Sequence, residues 1–443
     1  MTRALLSPLF WVMALLPLGW ITLFKAGGFS VTLAYMPALA LIAILPLRPV
    51  QLRGLGPVLS GFGLWLLPYA IYLPLLYIAL AGSEAQGMPF RQIFFVTAAV
   101  ACAVALSVHR DAAALCRAGG AGALILVVIV IEGLAWRVGL SWLDAITRFV
   151  TSGDLNFVIY GFFRSVFNAL NPDDAESVAA SVKNGVAVAV FTSLVLFRAG
   201  FSGAARDRTG SVVTLLVFGL LVMLNTRSVL LMAIAAMPLV SVMSAVRRGG
   251  VTVAGSLGLM GACLIGLVTL SYVLTSDSVV LSTLFDRFSF DDNSTGARTE
   301  QMRWAMARID TAIWSGSGYA EVGGHPVHNL FVAAWMHAGL PAFLLVVTFY
   351  IGLVVTWVRF GLQIVLRPAT WALRLRPEWI AVLPLVPMFR VWLSGDAGHM
   401  NYIEWVAVGL FMGALAANRA AQPQPRLAPQ QWDRPASRQV TPC

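Results

Sequence analysis

Along most of its length this chain alternates between short polar stretches and apolar runs long enough to cross a bilayer. Such runs fall near 5–24, 30–47, 56–80, 92–108, 121–140, 184–201, 211–226, 228–246, 251–275, 339–358, 378–395 and 401–417. A helix rises 1.5 Å per residue, so about 20 apolar residues span the ~30 Å hydrocarbon layer. Backbone polar groups cannot stay unpaired there, which leaves helices as the structure such runs take. Composition agrees: 59% of residues are hydrophobic and only 11% charged, against about a quarter charged in a soluble domain. A soluble chain of this kind would expose apolar patches that soluble proteins avoid. The expected fold is all-α, a polytopic transmembrane bundle of about twelve helices.

The net charge of +10 invites a nucleic-acid reading, but the placement of the charges argues otherwise. Every basic residue except Lys25 and Lys183 is arginine, and most stand at the ends of apolar runs rather than in one stripe. That is a topology signal, and no nucleic-acid partner is expected. With the N-terminus in the cytoplasm, alternation puts Arg3, Arg48, Arg53, Arg110, Arg117, Arg198, Arg206, Arg208, Arg247 and Arg248 inside. Arg359, Arg367, Arg374, Arg376 and the tail arginines follow, as the positive-inside rule asks. Both termini are then cytoplasmic. The first segment is long for a signal peptide and has no clean small-x-small cleavage site before Lys25, so it reads as a retained helix. Cys102, Cys116, Cys263 and Cys443 are scattered without paired spacing, which points to neither disulfide nor zinc.

The chain divides accordingly. Helices occupy 1–140, 184–275 and 339–417, two outer loops fill 141–183 and 276–338, and 418–443 form a Pro- and Gln-rich cytoplasmic tail expected to be disordered. No soluble catalytic domain remains, so any chemistry must be built from helix ends and outer loops.

An ionised side chain deep in a bilayer costs roughly 2.5–3.5 kcal/mol on insertion scales, so each one in a span needs a reason. Glu132 and Arg137 could pair, as could Arg390 with Glu404 or Asp396. Arg227 stands in the short hairpin LNTRSVLL, where Asn225 or Thr226 can cap the next helix. Its charge then joins a positive helix end, a place that attracts anions. Together with Arg164 and Arg298 from the outer loops, it could receive a lipid-linked phosphate or pyrophosphate.

The second outer loop carries more. STGARTEQMRWAMARIDTAI reads as an amphipathic helix with Met302, Met306, Ile309 and Ile313 on one stripe. Arg298 extends that stripe inward, whereas Arg303 points away and suits a solvated or capping role. A glycine-rich approach (Gly316, Gly318, Gly323, Gly324) leads to His328 and Asn329, which open an apolar helix. His325 and His328 form an HxxH without a third ligand in sequence, so no metal is expected. A neutral imidazole at a water–lipid boundary is suited to general-base work.

These pieces, in this order, resemble the shared domain of the O-antigen ligase and O-antigen polymerase superfamily. The matching stretches are NTRSVLL, TGART before a Trp-containing helix, GSGY, and HN followed by AGLPAFLL, with FRSVFNALNPDDAES resembling the family's first outer loop. They cover about a third of the chain closely, on the count of matched segments. The resemblance implies a GT-C-like membrane glycosyltransferase of the bacterial inner membrane with its active site facing the periplasm, needing no cofactor. It implies a glycan donor on undecaprenyl pyrophosphate and an acceptor hydroxyl on lipid A–core or on another carrier-linked glycan. It implies that His328 is catalytic and that Arg227, Arg298, Arg164, Asn329 and Arg303 line the substrate site. One polymerase group's paired loop motifs are absent, which favours a ligase over an O-antigen or exopolysaccharide polymerase. A lipid-linked glycan transporter is the reading from another class.

Overall fold

The computed structural model describes residues 7–26, 29–47, 49–153, 157–168, 175–201, 207–224, 226–247, 293–318, 327, 329–367, 370–393 and 400–422. The expected span 251–275, and with it Cys263, His325, His328, Asp396 and Cys443, lies outside the described residues. The helices are α1 (Pro8–Ala14), α2 (Met36–Ile44), α3 (Pro49–Phe62), α4 (Leu66–Leu80), α5 (Met88–Ser107), α6 (Ala112–Trp136), α7 (Trp142–Ser152) and α8 (Phe163–Asn168). There follow α9 (Ala175–Ala199), α10 (Asp207–Leu224), α11 (Arg227–Arg247), α12 (Asn293–Thr311), α13 (Leu330–Leu366), α14 (Pro377–Ile380), α15 (Leu385–Leu393) and α16 (Tyr402–Ala421).

Among the described residues five helices, α5, α6, α9, α11 and α13, are long and apolar enough to cross a membrane. α3 and α4 would make a sixth span, bent by 78°. The bend falls at Gly63, whose φ of 55° is left-handed, and Pro68 opens the first turn of α4. Large apolar side chains, among them Ile78, Ile125, Ile129 and Ile351, are exposed along these helices, as are Leu215 and Leu216 on the shorter α10. In water such a surface would be costly; against lipid it is the expected one. The chain is thus a mostly helical protein built for several membrane crossings.

Its beginning departs from the sequence reading. Where runs 5–24 and 30–47 predict helices, α1 ends at Ala14, and Thr22–Ala26 (β1) pairs antiparallel with Phe29–Thr32 (β2). The register joins Thr22 to Thr32 and Ala26 to Phe29. Pro17 removes a backbone donor just past α1, and Thr22, Phe24, Val31 and Thr32 favour extended backbone. The sequence between Ala26 and Phe29 is Gly-Gly, a hairpin signal that hydropathy alone overlooks. Run 378–395 is likewise split, into α14 and α15, with Pro384 between them. At the far end α16 continues to Ala421; Asn418 is buried and its side-chain oxygen accepts from Ala372 N at 2.8 Å.

Every residue of α16 from Tyr402 to Asn418 is buried, which makes this helix the axis of the bundle. Small residues allow it to approach α5: a Cβ at Gly409 would lie 2.8 Å from Ala99 Cα, and one at Gly413 2.9 Å from Ala103 Cα. This G-x-x-x-G face packs backbone on backbone. Gly409→Val is therefore expected to destabilise the bundle by about 1–3 kcal/mol through overpacking. Gly133→Ala, with nothing within 4 Å of the added carbon, should be neutral. Thermal unfolding of both variants in detergent checks this; equal melting temperatures would refute the close approach.

The bundle has two distinct ends. At one, Arg247 pairs with Glu378 at 3.5 Å, and Arg376 donates to the Phe201 carbonyl and, through its backbone, to Ala199 O at 2.8 Å. At the other, the starts of α5, α11 and α16 meet the middle of α9: Gln92 Nε2 donates to Met400 O at 2.8 Å, and Thr226 Oγ1 to Asn184 Oδ1 at 3.2 Å. Arg117 and Arg198 lie at the first of these ends too, over the rings of Phe201 and Trp379.

Candidate active site

The geometry that positions the second outer loop is a break in α13. Ala338 and Gly339 leave the helical region, Gly339 with φ 79° and ψ −178°, and Pro341 has no N–H to offer the His337 carbonyl. Leu340 N turns outward and donates to Ile313 O at 2.8 Å. Two carbonyls of the first half-helix thereby lose their usual donors. The loop supplies replacements: Ser317 N donates to Met336 O at 2.7 Å, and Gly318 N to His337 O at 3.3 Å. Trp335 Nε1 adds a bond to Ile313 O at 3.1 Å. Gly339 is required here, because a side chain would meet the Trp314 backbone carbonyl; Gly316, with φ 72°, faces the same constraint from His337.

A small core seals the junction. Ala305 and Ile309 of α12 pack with Val327 and with Met336 of α13, flanked by Trp304, Val332 and Trp335. This core is separate from the main one. The buried line of α12 is Gln301, Ala305 and Ile309, whereas Met302, Met306 and Ile313 are exposed. The stripe is thus rotated by roughly 70° from the one the methionines predict. The position of Arg298 still falls on it, seven residues before Ala305 and eleven before Ile309, each within about 20° at 100° per residue. Arg303 is exposed and off this face.

Val327 is buried in that core and Asn329 caps α13, so the residues on either side of His328 are both fixed. Asn329 Oδ1 accepts from Phe331 N at 3.0 Å and Val332 N at 3.2 Å. The sequence assigns Asn329 to substrate; its oxygen is engaged in capping instead, which leaves the amide nitrogen as the group able to meet a ligand. Asn329→Ala should lower stability by about 1 kcal/mol, and Asn329→Asp, also a good cap, should retain it. Melting temperatures separate the two, and equal losses would exclude the capping role.

Arg227 is the first residue of α11, and α11 and α12 both pack against α13. The hairpin is anchored by Thr226, which is buried; its hydroxyl donates to Asn184 of α9, and its carbonyl accepts from Leu230 N at 2.9 Å. Arg164 belongs to the short α8. The side chains of Arg164, Arg227 and Arg298, like His328 itself, lie outside the described set. The described residues show α12 packed with Val327 and with Met336 of α13, and α11 packed separately along α13.

The in-span charges are also placed. Arg390 Nε donates to Glu404 Oε1 at 3.1 Å, the two side chains 1% and 2% exposed. Glu404 also completes a capping box with Asn401, whose backbone N–H donates to Oε2 at 3.1 Å. Glu132 does not take Arg137 as its close partner. Its oxygens accept from Trp136 Nε1 and Trp142 N, both at 2.8 Å, while Arg137 is exposed. Gln92, which charge counting passes over, is fully buried and accepts from Tyr69 OH at 2.9 Å and Trp405 Nε1 at 3.2 Å.

No protein-family model matches the chain, and no curated protein matches it.

Proposed function

We propose that this protein is a multi-pass inner-membrane glycosyltransferase of about twelve spans with a GT-C-like bundle. It moves a glycan from undecaprenyl pyrophosphate to a sugar hydroxyl at the periplasmic face, as an O-antigen ligase does with lipid A–core. The observation that carries the reading is the locked junction between α12 and the broken α13. It joins the ends of α12 and the first half of α13 at residues that also carry the resemblance, in GSGY and AGLPAFLL.

In the reaction the acceptor oxygen attacks the anomeric carbon of the donor sugar while the bond from that carbon to the pyrophosphate oxygen breaks. His328 takes the acceptor proton. The leaving pyrophosphate gains negative charge, which Arg227 and Arg298 receive as bidentate guanidinium donors. The positive end of α11 adds to the same field.

Deletion of the gene, complemented with wild type, His328→Ala or Arg298→Ala, tests the proposal in cells. The expected result is long glycan held on undecaprenyl pyrophosphate over bare lipid A–core, rescued by wild type and by neither variant. A core bearing a single repeat would make the protein a polymerase. Unchanged glycans, or rescue by both variants, would exclude transfer at these residues and bring transport forward.

A further inference from the structure

A cavity of about 190 Å³ opens where the starts of α5 and α16 meet the middle of α9. Pro17, Gly19 and Trp20 after α1, Tyr35, Arg91, Gly185 and Tyr402 line it. Its volume is roughly six times the ~30 Å³ share of one water. Three polar atoms buried in these side chains have no hydrogen-bond partner among the described residues: Trp20 Nε1, Arg91 Nε and Tyr402 OH. Tyr402 itself is only 3% exposed. Leaving such groups unsatisfied is unfavourable, so a native site that gathers three of them asks for an occupant.

The chemistry of that occupant follows from the donors. Two of the three can only donate, the third is a hydroxyl, and one carries a permanent positive charge. Among the described residues no acidic side chain lines the cavity. The nearest carboxylate along α16, Glu404, is engaged by Arg390 Nε and by Asn401 N. The ligand must therefore bring acceptor oxygens and negative charge. The walls are aromatic: Tyr35 and Tyr402 lie 4.8 Å apart by ring centroid, with Phe95 5.3 Å from Tyr35 and 5.7 Å from Tyr402. Such rings suit the apolar body of a lipid or the face of a sugar attached to the anion.

We propose that this cavity binds the phosphate of a phosphoester, with Arg91, Trp20 and Tyr402 as its donors. The site stands independently of the glycosyl-transfer reading. It lies beside the hairpin that carries Arg227, since Gly185 lines the cavity and Asn184, its neighbour, holds Thr226.

Calorimetric titration of the full-length protein in neutral detergent tests this. The probes are dihexanoyl phosphatidic acid, glucose 1-phosphate, inorganic phosphate, and dihexanoylglycerol as the phosphate-free control. Saturable binding of at least one phosphate-bearing probe is expected, with none for the control. Arg91→Ala should weaken it about tenfold or more and Tyr402→Phe about threefold to tenfold, the range for a charged and a neutral hydrogen bond. Tyr402→Phe keeps the ring and its packing, so it decides the matter even if Arg91→Ala fails to fold. Binding of phosphatidic acid alone would assign the site to lipid headgroups, and equal binding of glucose 1-phosphate to soluble phosphoesters. No saturable binding, or wild-type affinity in Tyr402→Phe and every folded Arg91 variant, would overturn the proposal and leave a water-filled cavity.

Discussion

Glu404→Ala should destabilise the protein by about 3–5 kcal/mol, the range for removing one partner of a buried ion pair. The loss comes less from the attraction between the charges than from what remains. Arg390, 1% exposed beside the central helix, would be left ionised without its carboxylate. The same change removes half of the capping box at the start of α16, worth about a further 1 kcal/mol. A guanidinium cannot escape by losing its proton. Replacing both partners by apolar residues of similar volume, Arg390→Met with Glu404→Leu, should recover most of the loss, because desolvation and attraction nearly offset each other in the intact pair. Thermal or denaturant unfolding in detergent of the two single variants and the double measures the coupling. Additive losses would mean that the two groups do not act as a pair.

That pair was legible in the sequence because an ionised group inside a span demands a counter-charge, and Glu404 lay within reach of Arg390. The same logic named Arg137 for Glu132 and missed, for a local reason. α6 ends at Trp136 and turns back into α7, which puts two N–H groups nearer to Glu132 than any side-chain cation. Hydropathy found the long helices yet mistook the start of the chain, since a window average cannot see that Thr22, Val31 and a Gly-Gly pair favour a hairpin. On α12 the methionines drew the buried face toward themselves. The buried face runs through Gln301, Ala305 and Ile309, and the last two pack with Val327 and with Met336 of α13. By helical register the position of Arg298 lies near the line through Ala305 and Ile309. The donor set at Trp20, Arg91 and Tyr402 was not legible: these residues are far apart in sequence, and only the folding of α1, α5 and α16 onto one end makes a cavity of them.

His328→Ala is expected to slow glycan transfer by about 10²–10⁴-fold, the contribution of a positioned general base. Arg298→Ala should slow it by about 10²–10³-fold, as loss of one fixed donor to developing charge. Both are measured as turnover of a carrier-linked glycan in vesicles holding the purified protein. Exposed Arg137→Gln serves as a control that should keep the wild-type rate. A fall in rate alone would not separate a base from a residue that merely shapes the turn between Val327 and Asn329. The pH profile does. An imidazole accepts a proton only when neutral, so the wild-type rate should fall on the acid side of the profile. The Ala variant should lose that acidic limb and regain rate when free imidazole is added. A variant that is slow but keeps the wild-type limb, with no response to imidazole, would make His328 a positioning residue and send the search for the base elsewhere along the same junction.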